Sequence, residues 1–243
     1  MKQIPDGSVD MILCDLPYGT TACKWDVIIP FEPLWEQYKR IIKSNGAIVL
    51  TSQQPFTTDL INSNRNLFKY TLIWEKNRYG CFMQAKRMPM RNHEDVLIFY
   101  IKPPTYNPQR RLIKKGGSGG HNKEKTNIFK IKGAASENYK RPVSKDGLGM
   151  PGSIIKINSE AKPSHPTEKP VELFEWLIKT YTNEGETVLD NCAGSGTTAI
   201  ACLNTNRNYI LMEKEQNYFE MITNRIAKWH SERGPQGLFK TAI

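Results

Sequence analysis

The chain has 243 residues, of which 39% are hydrophobic, so it can form one large domain or one domain that carries an insertion. Its apolar runs fall short of the roughly 18 residues that a membrane span needs, and no signal peptide, disulfide spacing or metal-ligand spacing is seen, which predicts five free thiols in a reducing cytoplasm. The net charge of +10 favours a polyanionic partner.

Apolar strands and amphipathic helices alternate along the first part of the chain. Residues 9–14 predict a buried strand, and apolar residues at helical spacing over 31–42 predict a helix that Asn45-Gly46 ends. The other elements expected in this part are a strand over 47–50, a helix over 54–63 with Phe56 and Leu60 inward, and strands over 70–74 and 95–100. Residues 75–94 are polar and are expected to be irregular.

Residues 103–164 differ in composition from what surrounds them. Between residues 110 and 145 there are eleven Lys or Arg against two acids, and four glycines cluster over 116–120. Prolines bound the segment at Pro103-Pro104 and at Pro163. We therefore expect an inserted region over 103–164, with 1–102 and 165–243 forming one domain.

Strands and helices resume after the basic segment. A helix is expected over 170–180, with Pro170 in its first turn. A strand over 187–189, a helix of small residues over 197–203, a strand over 209–212 and a helix over 216–229 follow. Alternation on both sides of the insert predicts a doubly wound α/β domain.

Two motifs follow predicted strands directly. Asp15-Leu16-Pro17-Tyr18 follows the strand over 9–14, and the run from Asp190 to Thr198 follows the strand over 187–189. Active sites of open α/β sheets lie at the carboxyl ends of such strands. We therefore expect the two motifs to line adjoining pockets at one edge of one sheet.

The second motif has the features of a nucleoside-binding loop. Gly194-Ser195-Gly196 opens a helix, where backbone N–H groups are exposed and glycines let a ligand approach closely. Glu213 follows the next strand, where its carboxylate can accept hydrogen bonds from both hydroxyls of a ribose. The absence of a P-loop lysine argues against a nucleoside triphosphate. The alternative is a tight turn with a solvated acid.

The first motif offers a carboxylate, backbone carbonyls and a ring, which suit a flat base with an amino group. Methyl transfer to such an amine is difficult because its lone pair is delocalised into the ring. Asp15 and the carbonyl of Leu16 can accept the two amine hydrogens, and Pro17 keeps the turn rigid. Tyr18 can stack on the base. The alternative is an acid–proline turn with a half-buried tyrosine.

Together the motifs resemble those of the DNA amino-methyltransferases that use S-adenosylmethionine. Residues 15–18 are similar to the family's catalytic motif Asp/Asn/Ser-Pro-Pro-Tyr, residues 190–198 to its cofactor motif, and residues 165–170 to a third motif, His-Pro-Thr-Glu-Lys-Pro. The order of the motifs around the insert is that of the circularly permuted β class. The resemblance implies a Rossmann-like methyltransferase sheet with a basic target-recognition insert. Residues 15–21 and 54–56 resemble variants found in phage and prophage adenine methylases.

The resemblance also implies roles for individual residues. The target adenine would be held by Asp15, Leu16, Pro17 and Tyr18, with Asp15 as the main catalytic group. Residues of the other two motifs and of the next strand end would bind the cofactor: Thr167, Lys169, Pro170, Asp190, Cys192, Ala193, Gly194, Ser195, Gly196, Thr197 and Glu213. An acid at the first catalytic position favours adenine N6 over cytosine N4.

Three departures from the family pattern stand out. Leu16 replaces a proline, but its useful group is the carbonyl. Cys192 replaces a phenylalanine, so the adenine pocket of the cofactor is lined differently, and Leu211 or Met212 can compensate. Members usually begin with a further strand before the segment over 1–5, which is consistent with Met1 being an internal methionine of a longer chain.

Basic residues of the insert and of residues 75–94 are candidates for DNA contacts, through phosphates and base edges. They are Arg78, Lys86, Arg110, Arg111, Lys114, Lys115, Lys123, Lys125, Arg141 and Lys145. The alternatives are a solvated, partly disordered insert and a plain surface hairpin over 77–94. His93-Glu94 is interpreted as a structural ion pair, and His165 and Glu168, beside a proline, are not expected to bind a metal.

The sequence thus predicts a site-specific adenine methyltransferase that acts on double-stranded DNA by base flipping. The alternatives left open are N4-cytosine methylation, action on RNA or on a protein glutamine, and a truncated, inactive DNA-binding relative. A homodimer and a restriction partner also remain open, since neither can be derived from the chain.

Overall fold

The computed structural model describes residues 1–21, 23–112, 147–160 and 168–233. The strands within these ranges are β1 (Val9–Asp15), β2 (Ile42–Ser52), β3 (Phe68–Gly80), β4 (Arg91–Phe99), β5 (Arg111–Leu112), β6 (Leu148–Gly149), β7 (Ile154–Lys156), β8 (Thr187–Asp190) and β9 (Asn208–Leu211). The α-helices are α1 (Phe31–Ile41), α2 (Phe56–Ser63), α3 (Val171–Tyr181), α4 (Thr197–Asn204) and α5 (Gln216–Arg233). None of these helices is both long and apolar enough to cross a membrane.

The chain divides into two compact units. The larger consists of Met1–Asn107 with Gly152–Ile243, and the smaller of Pro108–Pro151. In the smaller unit the described residues form one antiparallel pair, β5 with β6. The sequence assigns all of 103–164 to the insert, whereas β7 pairs with β3 at the edge of the main sheet. The smaller unit is therefore narrower than the insert expected from composition.

In the described part of the larger unit, seven strands form one sheet in the order β7-β3-β4-β2-β1-β8-β9. β4 is antiparallel to both of its neighbours, and every other neighbouring pair is parallel. This confirms the predicted doubly wound α/β fold. The chain leaves β1 toward β2 and leaves β8 toward β9, so the strand order reverses between β1 and β8. Ligands of open α/β sheets bind in the crevice at such a point.

Helices cover both faces of the sheet because its central strands are apolar on both faces. In β1, Met11 and Leu13 pack in the core formed with α3 and α4, whereas Ile12 and Cys14 pack in the core formed with α1 and α2. All four side chains are fully buried. A parallel strand buried on two faces has a continuous apolar sequence, and this is why the sequence identifies β1 correctly.

The first helix ends earlier than the sequence predicts. α1 stops at Ile41, and Asn45-Gly46 lies inside β2, so the prediction that this pair ends the helix is wrong. The register between β1 and β2 shifts over this stretch. A Cβ at Gly46 would lie 2.7 Å from the backbone oxygen of Asp10, so the glycine allows two strands to approach, and it does not mark a helix end.

The polar segment over 75–94 is more regular than predicted. β3 continues to Gly80 and β4 begins at Arg91, so only residues 81–90, called the hairpin tip below, connect them. Charged side chains pair across the two strands, as Lys76 does with Glu94. Cross-strand charge pairs stabilise a ladder without apolar residues, and the expectation of irregular structure is therefore wrong for the half of this segment that lies in β3 and β4.

Candidate active site

Two neighbouring strands of the sheet end in acidic residues. β1 ends at Asp15, β8 ends at Asp190, and the strands are parallel neighbours. Both acids line one cavity of about 600 Å³ in the larger unit, a size typical of small-molecule sites. All four residues over 15–18 line this cavity, and so do residues 190–195 and 197. The structure therefore brings together the two motifs that the sequence singled out.

The carboxylate of Asp15 has donors on both oxygens. Oδ1 accepts hydrogen bonds from the hydroxyl of Tyr18 at 2.6 Å and from the hydroxyl of Thr51. Oδ2 accepts from Nζ of Lys169 at 2.6 Å. Thr51 lies on β2, beside β1, and was not predicted as a site residue. The acid is thus fixed in one orientation at the end of its strand.

Tyr18 is held by its hydroxyl and by one face of its ring. The ring stacks on Phe56 of α2, with centroids 5.2 Å apart and planes at 28°. Burial and the neighbouring charge of Asp15 hold the pKa of Tyr18 well above its usual value, so its hydroxyl remains a donor. Because Phe56 covers one face, a base can stack only on the other.

Lys169 lies just before α3 and is almost fully buried, with 6% of its surface exposed. Its ammonium group bonds Asp15 at 2.6 Å and lies 3.3 Å from a carboxylate oxygen of Glu94. Burial alone would lower the pKa of Lys169, but the charges of Asp15 and Glu94 outweigh burial and raise it. The sequence predicts Lys169 to be a cofactor-binding residue, and in the structure its ammonium group contacts the carboxylate of Asp15.

Glu94, on β4, is a site residue that the sequence missed. The expected ion pair with His93 is not what the structure shows, because Glu94 pairs with Lys76 and Lys169. Its side chain is 10% exposed and lines the cavity. Burial would raise the pKa of Glu94, but the two lysines lower it below its usual value. Glu94 lies in a polar run at the start of β4, so no local sequence pattern places its side chain in the cavity.

The loop after Tyr18 is organised by Asp26. The carboxylate of Asp26 accepts hydrogen bonds from the backbone N–H groups of Gly19, Thr20 and Thr21 at 2.7–2.9 Å. Burial opposes ionisation of Asp26, yet these donors lower its pKa. Asp26 lies within a loop without periodicity, so no sequence pattern predicts this role.

The second motif forms a tight turn between β8 and α4. Gly194 and Gly196 have φ angles of +51° and +80°, in the left-handed region that favours glycine. Asp190 accepts hydrogen bonds from the backbone N–H of Cys192 at 3.0 Å and from the hydroxyl of Thr198. Burial of Asp190 raises its pKa to about 6 despite these donors.

Glu213 lies one strand further, as the sequence predicts. Its carboxylate accepts three backbone N–H groups, from Gly194 at 2.8 Å, Lys214 at 2.8 Å and Glu215 at 2.9 Å. An ionised carboxylate has about four lone-pair positions. Binding both hydroxyls of a ribose therefore requires that at least one of these amide bonds give way. Cys192 and Met212 both line the cavity beside it.

The remaining cofactor candidates occupy different positions. Ser195 and Thr197 are buried and line the cavity. Gly196 packs against Ile222 of α5, and Pro170 caps α3; neither is among the cavity-lining residues. Thr167 lies outside the described residues.

The cavity has a charge opposite to that of the whole chain. Among the described residues, eight acidic side chains line it against five basic ones, although the net charge of the chain is +10. A concave site lined by one sign of charge concentrates ligands of the other sign. No cluster of three or more His, Cys, Asp or Glu with metal-ligand geometry occurs in the described ranges.

The DNA-contact candidates are placed only in part. Arg78 lines the cavity, and Lys86 is exposed in the hairpin tip. In the smaller unit, Arg111 is exposed on β5 and Arg110 donates to the backbone oxygen of Leu148 at 2.9 Å. The other candidates lie outside the described residues: Lys114, Lys115, Lys123, Lys125, Arg141 and Lys145.

Comparison with known families and proteins gives a consistent result. The profile of a family described as DNA methylase matches residues 9–224. The Type II methyltransferase M.HpaI of Haemophilus parainfluenzae is 26% identical over 238 residues, which cover 93% of this chain and 70% of that protein. The DNA adenine methyltransferase YhdJ of Escherichia coli strain K12 is 27% identical over 249 residues, which cover 93% of this chain and 79% of that protein.

Solved structures share the fold. The crystal structure of the M1.HpyAVI–SAM complex has a TM-score of 0.59 at 24% identity, covering 90% of this chain and 89% of that chain. The PvuII DNA methyltransferase (cytosine-N4-specific) has a TM-score of 0.62 at 13% identity, covering 92% of this chain and 81% of that chain. At these identities the likeness establishes the fold alone.

Proposed function

Because the chain belongs to the DNA methylase family, we propose that it transfers the methyl group of S-adenosylmethionine to N6 of adenine at a specific site in duplex DNA. The observation that carries this proposal is the single cavity in which Asp15 and the turn at Gly194 meet at adjacent strand ends. One strand end presents acceptors for an amine, and the other presents a nucleoside-binding turn.

The cavity fits the proposed cofactor chemically. S-adenosylmethionine has one net positive charge at neutral pH, and an excess of carboxylates lines the cavity. Glu213 and the turn over 193–196 would hold its nucleoside part, while Cys192 and Met212 supply apolar surface for a purine. When bound, the cofactor supplies an electrophilic methyl group on a sulfonium centre.

Asp15 performs the central step on the acceptor side. Its carboxylate accepts a hydrogen of the exocyclic amine, while the carbonyl of Leu16 accepts the other. As the N–C bond forms and the S–C bond breaks, positive charge develops on the amine nitrogen, and the Asp15 carboxylate stabilises it. A proton of the amine then leaves toward Asp15. Tyr18 covers one face of the flipped base.

Adenine is favoured over cytosine by the relatives. The name of the E. coli relative states an adenine activity at 27% identity, whereas the cytosine-N4-specific structure is 13% identical. Cytosine N4 remains the second candidate, because its amine presents the same two hydrogens to Asp15 and Leu16.

The exposed side chains of the hairpin tip support a DNA contact surface. Lys86 and Arg87 are exposed there, together with the apolar side chains of Phe82 and Met83, which are 73% and 87% exposed. Lysine and arginine neutralise phosphates, and apolar side chains can enter a distorted base stack. The smaller unit, with the rest of the segment over 103–164, is proposed as the target-recognition region. Pairing of two copies, a restriction partner and a cytoplasmic location stay proposals that follow from the family.

The experiment is a transfer assay on duplex DNA with labelled S-adenosylmethionine, followed by mass analysis of the nucleosides. N6-methyladenine is the expected product, and methylation-sensitive sequencing of DNA from expressing cells then gives the recognition site. N4-methylcytosine would move the proposal to the second candidate. Label on RNA or protein alone would exclude both. Calorimetry with S-adenosylmethionine separates an inactive DNA-binding relative, which would give no heat of binding.

A further inference from the structure

Exposed apolar side chains are concentrated in one short stretch of the protein. Of the fourteen large hydrophobic side chains that are exposed among the described residues, five lie at the end of β3 and in the hairpin tip: Tyr79, Phe82, Met83, Met88 and Met90. Phe82 and Met83 are the most exposed of the five, at 73% and 87%. A group of exposed apolar side chains with polar residues around it marks an interaction surface.

The same stretch is basic, which indicates a polyanionic partner. Between residues 77 and 92 there are no Asp or Glu and four Lys or Arg, namely Arg78, Lys86, Arg87 and Arg91. Positive charge next to apolar side chains fits duplex DNA, which has phosphates on its outside and stacked bases inside. A second copy of this chain fits less well, because its net charge of +10 repels a basic tip.

The hairpin tip holds its own backbone in a defined turn. Cys81 has a φ of +62°, and a turn of 3₁₀-helix over Phe82–Gln84 follows it. The N–H of Gln84 donates to the carbonyl of Cys81 at 3.0 Å, and the N–H of Ala85 donates to the carbonyl of Phe82 at 3.1 Å. Phe82 and Met83 therefore extend from an ordered turn, which lowers the entropy cost of placing them in a binding partner.

β3 connects the hairpin tip to the cavity. Trp74, Lys76 and Arg78 alternate along this strand, and all three line the cavity. A chain spans at most about 3.6 Å per residue, so the Cα of Phe82, four residues beyond Arg78, lies within about 14 Å of the Cα of that cavity-lining residue. A base that rotates into the cavity stays attached to its own strand, so the gap that it leaves lies near the cavity. The tip is within reach of that gap.

We propose that Phe82 and Met83 form an apolar wedge that enters the base stack of duplex DNA and fills the gap left by the target base. Lys86 and Arg87 bind phosphates beside it. The wedge favours the flipped state, because its contacts with the neighbouring bases replace part of the stacking that the target base gives up. The inference rests on the proposed function, since it presupposes a base that leaves the duplex, and it assigns to the hairpin tip a direct effect on base flipping.

The test compares two duplexes that contain the site found by methylation-sensitive sequencing. One is fully paired, and the other has an abasic nucleotide opposite the target base. For the double variant Phe82→Ala/Met83→Ala, kcat/KM on the paired duplex is expected to fall about 10- to 100-fold, the range for the loss of base–aromatic stacking. An unpaired base costs less to flip, so kcat/KM on the second duplex is expected to stay within about threefold of the wild-type value.

Ile101→Ala is the matched control, because Ile101 is 46% exposed and follows the end of β4 that lies away from the hairpin tip. It should methylate both duplexes as the wild type does. The two wedge side chains are exposed, so the double variant should fold, which thermal unfolding and calorimetry with S-adenosylmethionine check.

Two results overturn the inference. Equal losses on both duplexes would make the tip a contact surface without an effect on flipping, and wild-type kcat/KM on the paired duplex would remove it from the reaction. In the second case, weaker self-association of the double variant in sedimentation would assign the tip to an interface between two copies of the chain. If the wild-type protein methylates no DNA, the proposed function itself fails, and the inference fails with it.

Discussion

Asp15 and Lys169 are separated by 154 residues and form an ion pair of 2.6 Å at the edge of the sheet. Asp15 ends the first strand, and Lys169 directly precedes the helix that leads to β8. The contact therefore joins the motif over 15–18 to the segment that leads into the turn at Gly194. Changes at the acid should alter the reaction while leaving that turn in place.

We expect Asp15→Ala to abolish methylation and to leave cofactor binding intact. The acceptor for the amine is lost, and general acid–base groups contribute about 10²- to 10⁴-fold to rates. The turn at Gly194 bonds to Glu213 and not to Asp15, so it should persist. Transfer assays and calorimetry with S-adenosylmethionine measure the two effects separately. Asp15→Asn is the matched control for size, and equal loss of both functions would show that the roles are wrongly assigned.

Tyr18 can be tested by separating its ring from its hydroxyl. Tyr18→Phe keeps the stacking face and removes the bond to Asp15. It should therefore lower kcat more than it weakens base flipping. Tyr18→Ala removes the ring, and base–aromatic stacking contributes about 1–3 kcal/mol, so flipping should weaken about 10- to 100-fold. Fluorescence of 2-aminopurine at the target position reports flipping. Equal flipping by both variants would argue against stacking.

The sequence predicts the parts of the fold that depend on buried apolar runs. β1 and α1 were located because their apolar residues recur at strand or helix spacing. The part of the β3–β4 ladder over 75–80 and 91–94 was missed because charged pairs such as Lys76–Glu94 stabilise it. Composition shows the polarity of such a segment but not which charges meet.

The residues of the candidate site likewise divide into those that the sequence predicts and those that it does not. Asp15, Gly194 and Glu213 lie in motifs at strand ends, so topology alone predicts that they meet. Glu94 and Asp26 act through contacts that depend on where one loop or strand lies against another. No local pattern records those contacts, and sequence reasoning therefore missed both residues.

Asp190 should make the stability of the protein depend on pH in an unusual direction. Burial raises its pKa to about 6 in the folded state, against about 3.9 in an unfolded chain. Between these values the folded state binds the proton and the unfolded state does not, so stability falls as the pH rises through this window. Above pH 6 Asp190 is ionised in both states, and the burial of its charge then lowers the free energy of unfolding by the full amount.

Asp190→Asn removes that dependence. From pH 4.5 to 7.5 the wild-type protein should lose about 2 kcal/mol of unfolding free energy relative to the variant. Urea unfolding of both proteins at the two pH values measures the difference, in which the titration of the other acids cancels. A difference of zero, or of opposite sign, would mean that folding does not raise the pKa of Asp190.

The hairpin tip should contribute to DNA affinity through charge. Replacing Lys86 and Arg87 by alanine removes two exposed cations of the hairpin tip. Each phosphate contact adds about 0.9 to the slope of log K against log salt, so the slope should fall by about 2. The control is Lys39→Ala, because Lys39 lies in the last turn of α1, at the opposite edge of the sheet. Anisotropy titrations at several salt concentrations decide the matter, and an unchanged slope would remove the tip from the interface.

Gly196 should be required both for stability and for the cofactor turn. Its φ is +80°, and a Cβ there would lie 3.0 Å from Ile222 of α5. Gly185 has φ +79° with nothing within 4 Å of the added Cβ, so Gly185→Ala measures the conformational cost alone, about 1–2 kcal/mol. Gly196→Ala should cost more in urea unfolding, because α5 must move, and should also weaken S-adenosylmethionine binding in calorimetry. Equal losses of stability and unchanged binding in both variants would show that α5 does not fix this turn.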